Sequence, residues 1–395
     1  MLKRIAKLFI WFIIFFCISW SSNLKGINIG FLELYPARII IFTWLIYIFF
    51  SRKSYAGKQV VPYMKGFLFL GTILMFLNMQ NALTSIIVYI TMFGSMLFSS
   101  FFTKNSADLK IISLGILLNL LLMEGIAIYE SFTGNFILMN GAEKYLVRSY
   151  NMFGTLSPKA AFFNTNNLTV YCALCFPFTM FCLKNKWGKL IGLFVYVITV
   201  FTSLLTNSRT GILCFLICAF YYLYVNVKYS KGTKKVLYFF VAFAVSFYVS
   251  SYIPSIAEVI FPKDSGGVSE ESRLTIWANY LEICANHIFL GGWPGSSGVL
   301  NMQYYGTDIP PHNLFLEILV DLGIIGFIVF LKIIKPIIPK YSQLKNNITY
   351  QITILFLIIF MMSTICPSSM MGYYFMWFLF GISLSINKNK INAYE

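Results

Sequence analysis

The side chains in this sequence that are fit for acid–base chemistry are few enough to name. Pro310-Pro311-His312-Asn313 sets one of only two His residues beside a residue type that caps helix N-termini. His titrates near neutrality and is a natural general base. Glu317 and Asp321 follow Asn313 at i+4 and i+8, on one helical face. At about 1.5 Å per residue they lie roughly 6 and 12 Å into that helix. His312, Glu317 and Asp321 are the catalytic candidates. The other His, His287, falls on the surface stripe of an earlier helix and reads as structural.

The fixed cations that could hold an anion are Arg. The turn Thr206-Asn207-Ser208-Arg209-Thr210-Gly211 places Arg209 at a helix start, where backbone N–H groups also favour an anion. Arg273 sits at the beginning of an amphipathic pattern, and Arg38 and Arg148 complete the set. The planar guanidinium grips phosphate or carboxylate with two parallel hydrogen bonds. These four, with Asn313, are the candidate substrate-binding residues. Cys172-x-x-Cys175 has no second pair or His nearby, so no metal is expected. No Gly-rich phosphate loop follows a strand, and neither strands nor a cofactor are expected.

The elements that must position these residues are apolar helices. The chain of 395 residues is 58% hydrophobic and 11% charged. Its apolar runs suit helices that cross a hydrocarbon core, about 20 residues each. Spans are expected at 5–22, 31–50, 64–79, 82–102, 109–130, 166–183, 188–206, 211–227, 235–253, 313–335, 349–366 and 370–387. The first is read as an uncleaved helix, although Lys3, Arg4 and Lys7 before an apolar stretch also resemble a signal peptide. The expectation is an all-α integral membrane protein of about 12 transmembrane helices, one polytopic domain over 1–395.

Charge orients it. With the N-terminus in the cytoplasm, 22 of the 30 Lys and Arg fall on the cytoplasmic side, as the positive-inside rule requires. The C-terminus is then cytoplasmic too. The net charge of +16 is therefore a topology signal and not a nucleic-acid one. Of the cytoplasmic cations only Arg4 and Arg52 are Arg, whereas the outer ones divide evenly between Lys and Arg.

Two outer segments exceed ordinary loop length, 131–165 and 254–312, and long structured loops carry function. In the larger, Ser269 is a plausible N-cap for an amphipathic helix over about 270–288. Leu274, Trp277, Leu281, Ala285 and Ile288 form its apolar face, and Gly291-Gly292-Trp293-Pro294-Gly295 ends it. Within the spans the ionisable residues Glu33, Arg38, Glu124, Glu317 and Asp321 all fall in the outer half. This suggests a polar cavity open to the outside.

The Thr206–Gly211 turn, Arg273-x-x-x-Trp277 before a Gly-rich break, and Pro311-His312-Asn313 leading into a span with Gly323 and Gly326 resemble, in order and spacing, the O-antigen polymerase and O-antigen ligase superfamily. That superfamily also includes capsule and teichuronic acid polymerases. Asn164-Thr165-Asn166-Asn167 departs from its usual Asn-Pro-Asn, and His287-Ile288 stands where relatives commonly carry Pro. The resemblance implies a metal-independent glycosyltransferase of the bacterial cytoplasmic membrane using undecaprenyl-diphosphate-linked oligosaccharide. Arg209 and Arg273 would hold the diphosphate and His312 would act in catalysis. It further implies membrane lipid, a flippase and a chain-length regulator as partners. Polymerase is the leading reading; ligase, which transfers the glycan to lipid A-core, and a transporter without bond chemistry are the alternatives. No internal repeat favours the transporter.

Overall fold

A segment in lipid must satisfy its backbone hydrogen bonds internally, so each apolar run closes into a helix. The computed structural model describes residues 2–20, 27–29, 32–50, 55–138, 151, 153–162, 164–182, 186–206, 208, 213–214, 217, 221, 271–307, 309–340, 343, 347–364 and 370–391. Among these the α-helices are α1 (Leu2–Ser19), α2 (Pro36–Phe50), α3 (Val61–Met75), α4 (Met79–Phe102), α5 (Ser106–Thr133), α6 (Thr165–Thr179), α7 (Lys186–Thr206), α8 (Glu271–Asn286), α9 (Ser296–Tyr305), α10 (Leu314–Ile334), α11 (Ile348–Ser363) and α12 (Tyr374–Asn389). Ten of the expected spans coincide with helices; of that expected at 211–227 only residues 213–214, 217 and 221 are described, and that expected at 235–253 lies outside the described residues. Three helical stretches, Ala82–Phe102, Ser106–Thr133 and Leu314–Ile337, are long and apolar enough to cross a membrane.

The second expected span starts late. Residues Ile27–Ile29 and Leu32–Leu34 form a two-stranded antiparallel hairpin, β1 and β2, where no strand was expected. The cause is Pro36, which suits the first helical position and pushes Tyr35 before it out of the helical region. Glu33 therefore belongs to a strand and not to a span.

The interior is built on α6 and α12, which are buried almost all round. Trp377 of α12 is the largest fully buried side chain. α4 lies closest to α12, and their polar groups bind across the contact. Ser95 Oγ donates to Tyr374 O at 2.8 Å, Ser99 Oγ to Phe378 O at 2.6 Å, and Ser385 Oγ to Ser100 O at 2.9 Å. Small hydroxyl residues let apolar helices approach and glue them where water cannot. The large side chains left outside, such as Phe9, Phe49, Phe50 and Phe69, are apolar.

A smaller core of Tyr280, Ile283, Leu300, Leu316 and Val320 joins α8, α9 and α10. It corrects the expected face of α8. Leu281 and Ile288 are more than half exposed, and Ala285 is exposed too. Trp277 of the expected face does pack inward, with Tyr280 and Cys284 beside it. In α8 the hydrogen-bonding tips of Trp277 and Tyr280 find carbonyl partners inside, whereas nothing obliges Leu281 to leave an apolar exterior. Ser269, the expected cap, lies outside the described residues.

Candidate active site

Helix α10 is interrupted. Gly323 has φ 62° and ψ −168°, so the helix stops and restarts there. The turn after α8 fills the break. Ile324 N–H donates to Ile288 O at 2.8 Å, and Gly292 N–H donates to Val320 O at 2.8 Å. Backbone groups freed by a helix break need such partners when water is excluded. The approach leaves no room for side chains. A Cβ on Gly291 would stand 2.5 Å from Gly323 N, and one on Gly323 would stand 2.6 Å from Gly291 N. Both glycines also have positive φ.

This stitch brings Asp321 to the start of α9. Asp321 is 1% exposed, yet its carboxylate is fully served. Tyr89 of α4 donates to Oδ2 at 2.8 Å and Gly295 N–H at 2.7 Å, while Ser296 Oγ and Ser297 N–H reach Oδ1 at 3.2 and 3.1 Å. A carboxylate at a helix N-terminus satisfies orphan N–H groups and meets the positive end of the dipole. With four donors on two oxygens, Asp321 anchors α9 and offers a substrate proton no open lone pair. This geometry corrects its reading as a candidate base. Glu317, one turn earlier on the same face, is half-buried and also lies within electrostatic reach of Tyr89.

His312 is the best-braced candidate. It is half-buried and has φ 49°, a conformation uncommon for a residue with a Cβ. The segment before it is held from two helices. Trp277 Nε1 donates to Pro311 O at 3.0 Å. Tyr280 Oη lies 2.7 Å from Ile309 O and 3.2 Å from Ser297 O. Asn301 Nδ2 reaches Thr307 O at 2.8 Å and Ile309 O at 3.2 Å. After it, Asn313 caps α10 as expected, accepting from Phe315 N–H at 3.0 Å and Leu316 N–H at 3.3 Å. A backbone in an unfavoured region, held on both sides, is typical of a site where position matters. Tyr89, Trp277, Tyr280 and Asn301 were not singled out for this from sequence; the paired glycines were the one local signal, since Gly inside a helical pattern marks a close approach.

The cations are dispersed. Arg273 lies in the first turn of α8, four residues before Trp277. Arg209 and Arg148 lie outside the described residues. Arg38 is 3% exposed and held apart from Asp321 by partners of its own. Its guanidinium donates to Glu33 O at 2.6 Å, reaches Tyr374 Oη at 3.4 Å and stacks 4.3 Å above the Tyr35 ring. Burial pushes the Tyr35 phenol up to about 12, against the lowering influence of Arg38. No carboxylate pairs with Arg38 among the described residues. Glu124 belongs to a third place, between α5, α6 and α7. The five ionisable groups expected in one cavity thus take three different sets of partners, Arg38 with Glu33, Asp321 and Glu317 beside Tyr89, and Glu124 beside Thr199.

A broken apolar helix, a re-entering turn and two braces thus meet at His312, in a helical protein of membrane type. Residues 193–331 match the model of the family described as O-antigen ligase. The match supports the O-antigen polymerase and ligase superfamily, and with it a glycosyltransferase-like enzyme in a membrane. It spans Arg209, Arg273, His312, Glu317, Asp321 and Gly323 and leaves Arg38 and Arg148 outside. No curated protein matches the chain.

Proposed function

We propose that this protein polymerises undecaprenyl-diphosphate-linked oligosaccharide repeat units on the outer face of the bacterial cytoplasmic membrane, with both termini in the cytoplasm. The observation that carries the reading is the strained, doubly braced His312 within the stretch that matches the family. An acceptor hydroxyl attacks the anomeric carbon of the donor sugar, the bond from that carbon to the lipid diphosphate breaks, and the hydroxyl proton passes to His312. Glu317 is the second candidate for that proton. Asp321 serves by position, fixing α9 and through it the segment that carries His312. Arg273 and Arg209, with Arg148, supply the fixed positive charge that stabilises the departing diphosphate. With those cations the reaction needs no metal and no cofactor. Flippase and chain-length regulator are the partners this role requires.

The description of the matching family favours a second reading, transfer of the glycan to lipid A-core. One reconstitution separates the two. Purified protein in vesicles receives lipid-linked repeat units with or without lipid A-core, and products are resolved by length. A ladder of longer lipid-linked glycans without lipid A-core supports polymerase, and product only on lipid A-core supports ligase. Unchanged products from both His312→Ala and Arg273→Ala would remove the site assignment.

A further inference from the structure

Glu124 takes no part in the site around His312. It lies in α5, about 14 Å from the Thr133 end at 1.5 Å per residue. Its side chain is fully buried, and neither carboxylate oxygen receives a hydrogen bond. Thr199 of α7 lies beside it, and Tyr171, Cys172 and Cys175 of α6 are within electrostatic reach. α1 adds Ser19, next to Tyr171. No described Lys, Arg or His bears on it.

The neighbouring hydroxyls have already spent their hydrogens. Thr199 Oγ1 donates to Val195 O at 2.7 Å, Ser19 Oγ to Phe15 O at 2.7 Å, and Tyr171 Oη to Asn119 Oδ1 at 2.5 Å. Each has one hydrogen to give, and with that of Thr199 engaged on Val195 O its lone pairs are left to face Glu124. A carboxylate oxygen and a hydroxyl lone pair face each other stably when a proton or a cation stands between them. An ionised carboxylate here would be a bare buried charge, which an apolar interior strongly disfavours. A ladder of hydroxyls leads away from the pair. Thr202 and Ser203 follow Thr199 at i+3 and i+4 on the same face of α7, both buried and without a hydrogen-bond partner at the hydroxyl. Thr206, one turn on, lies 2.6 Å from Thr169 of α6.

We propose that Glu124 and Thr199 form an intramembrane proton-binding site, reached along Thr202, Ser203, Thr206 and Thr169 from the end at which α7 stops. The bound proton makes Glu124 a donor to Thr199 and closes the packing of α5, α6 and α7. Its departure to water leaves the carboxylate charge uncompensated and loosens that seam. The proposal rests on the membrane reading of the helices and not on the glycosyl-transfer chemistry.

The test is the melting temperature of the purified protein in lipid nanodiscs as a function of pH. The wild type loses several degrees as pH rises through the titration. Glu124→Gln, which is permanently neutral and carries its own donor, keeps the low-pH stability and lacks that step. A Gln variant less stable than wild type at every pH would overturn the proposal. So would stabilisation of the wild type, and not of Glu124→Gln, when sodium chloride replaces choline chloride, because the occupant would then be a metal cation. Infrared spectroscopy gives a reading independent of the Gln variant's folding: a protonated carboxyl band at neutral pH that fades as pH rises and moves in Glu124→Asp. Absence of that band rejects the site.

Discussion

Gly291 and Gly323 face each other with no space for a β-carbon on either. The first ends the turn after α8 and the second breaks α10. The contact joins an element outside the spans to one of the longest apolar helices. Gly323→Ala or Gly291→Ala is expected to cost about 2 kcal/mol or more, combining overpacking with an unfavoured positive φ. Melting temperatures of the solubilised variants measure it. Gly66→Ala and Gly125→Ala are the controls, because a Cβ at either meets nothing within 4 Å.

Asp321 and Tyr89 give a graded pair. Tyr89→Phe removes one of four hydrogen bonds to the carboxylate and is expected to cost about 1 kcal/mol. Asp321→Asn keeps the shape but turns one oxygen into a donor facing other donors, so a loss of about 3 kcal/mol is expected. Thermal melts give both numbers. A proteolysis pattern in which α9 becomes the first point of cleavage in Asp321→Asn would locate the damage.

Trp277→Phe keeps an aromatic ring in the small core and removes only the bond to Pro311 O. The fold should persist while His312 loses one brace. Misplacement of a reacting group costs between about tenfold and a hundredfold in rate. The expected signature is a fall in kcat with little change in KM, read from initial rates of lipid-linked substrate consumption.

Cys284 should alkylate slowly. Burial, reinforced by the Asp321 carboxylate, pushes its thiol up to about 11, against about 8.5 for a free thiol. A thiol held that high stays neutral at pH 8. In a variant keeping Cys284 as its one Cys, its reaction there should be about a hundredfold slower than that of an ordinary exposed Cys. The rate should climb about tenfold per pH unit toward 11. Mass spectrometry of iodoacetamide adducts checks the slope; a flat profile contradicts the burial.

The expected face of α8 shows where periodicity stops being informative. Leu281 and Ile288 belong to the more hydrophobic stripe, and in water that stripe would be buried. Against apolar surroundings the preference disappears, and the stripe whose Trp and Tyr tips can reach carbonyls turns inward instead. Arg38 shows the same limit. Sequence alone placed it among the substrate-binding cations, but its nearest acceptor is a backbone carbonyl exposed by a hairpin that Pro36 helps create.

By itself the sequence determined where the helices run and how several begin. Asn313 capping α10, Asn164 capping α6 and the Pro-set start of α2 are local events. They depend on a few neighbouring residues and on the length of an apolar run. Only the tertiary structure decided that Asp321 is spent on α9 and Tyr89, that Gly323 breaks its helix against Phe289 and Gly291, and that Glu124 stands apart among spent hydroxyls. The reason is that each of these turns on which donor or backbone a remote segment brings within about 3 Å, and no local pattern encodes that meeting.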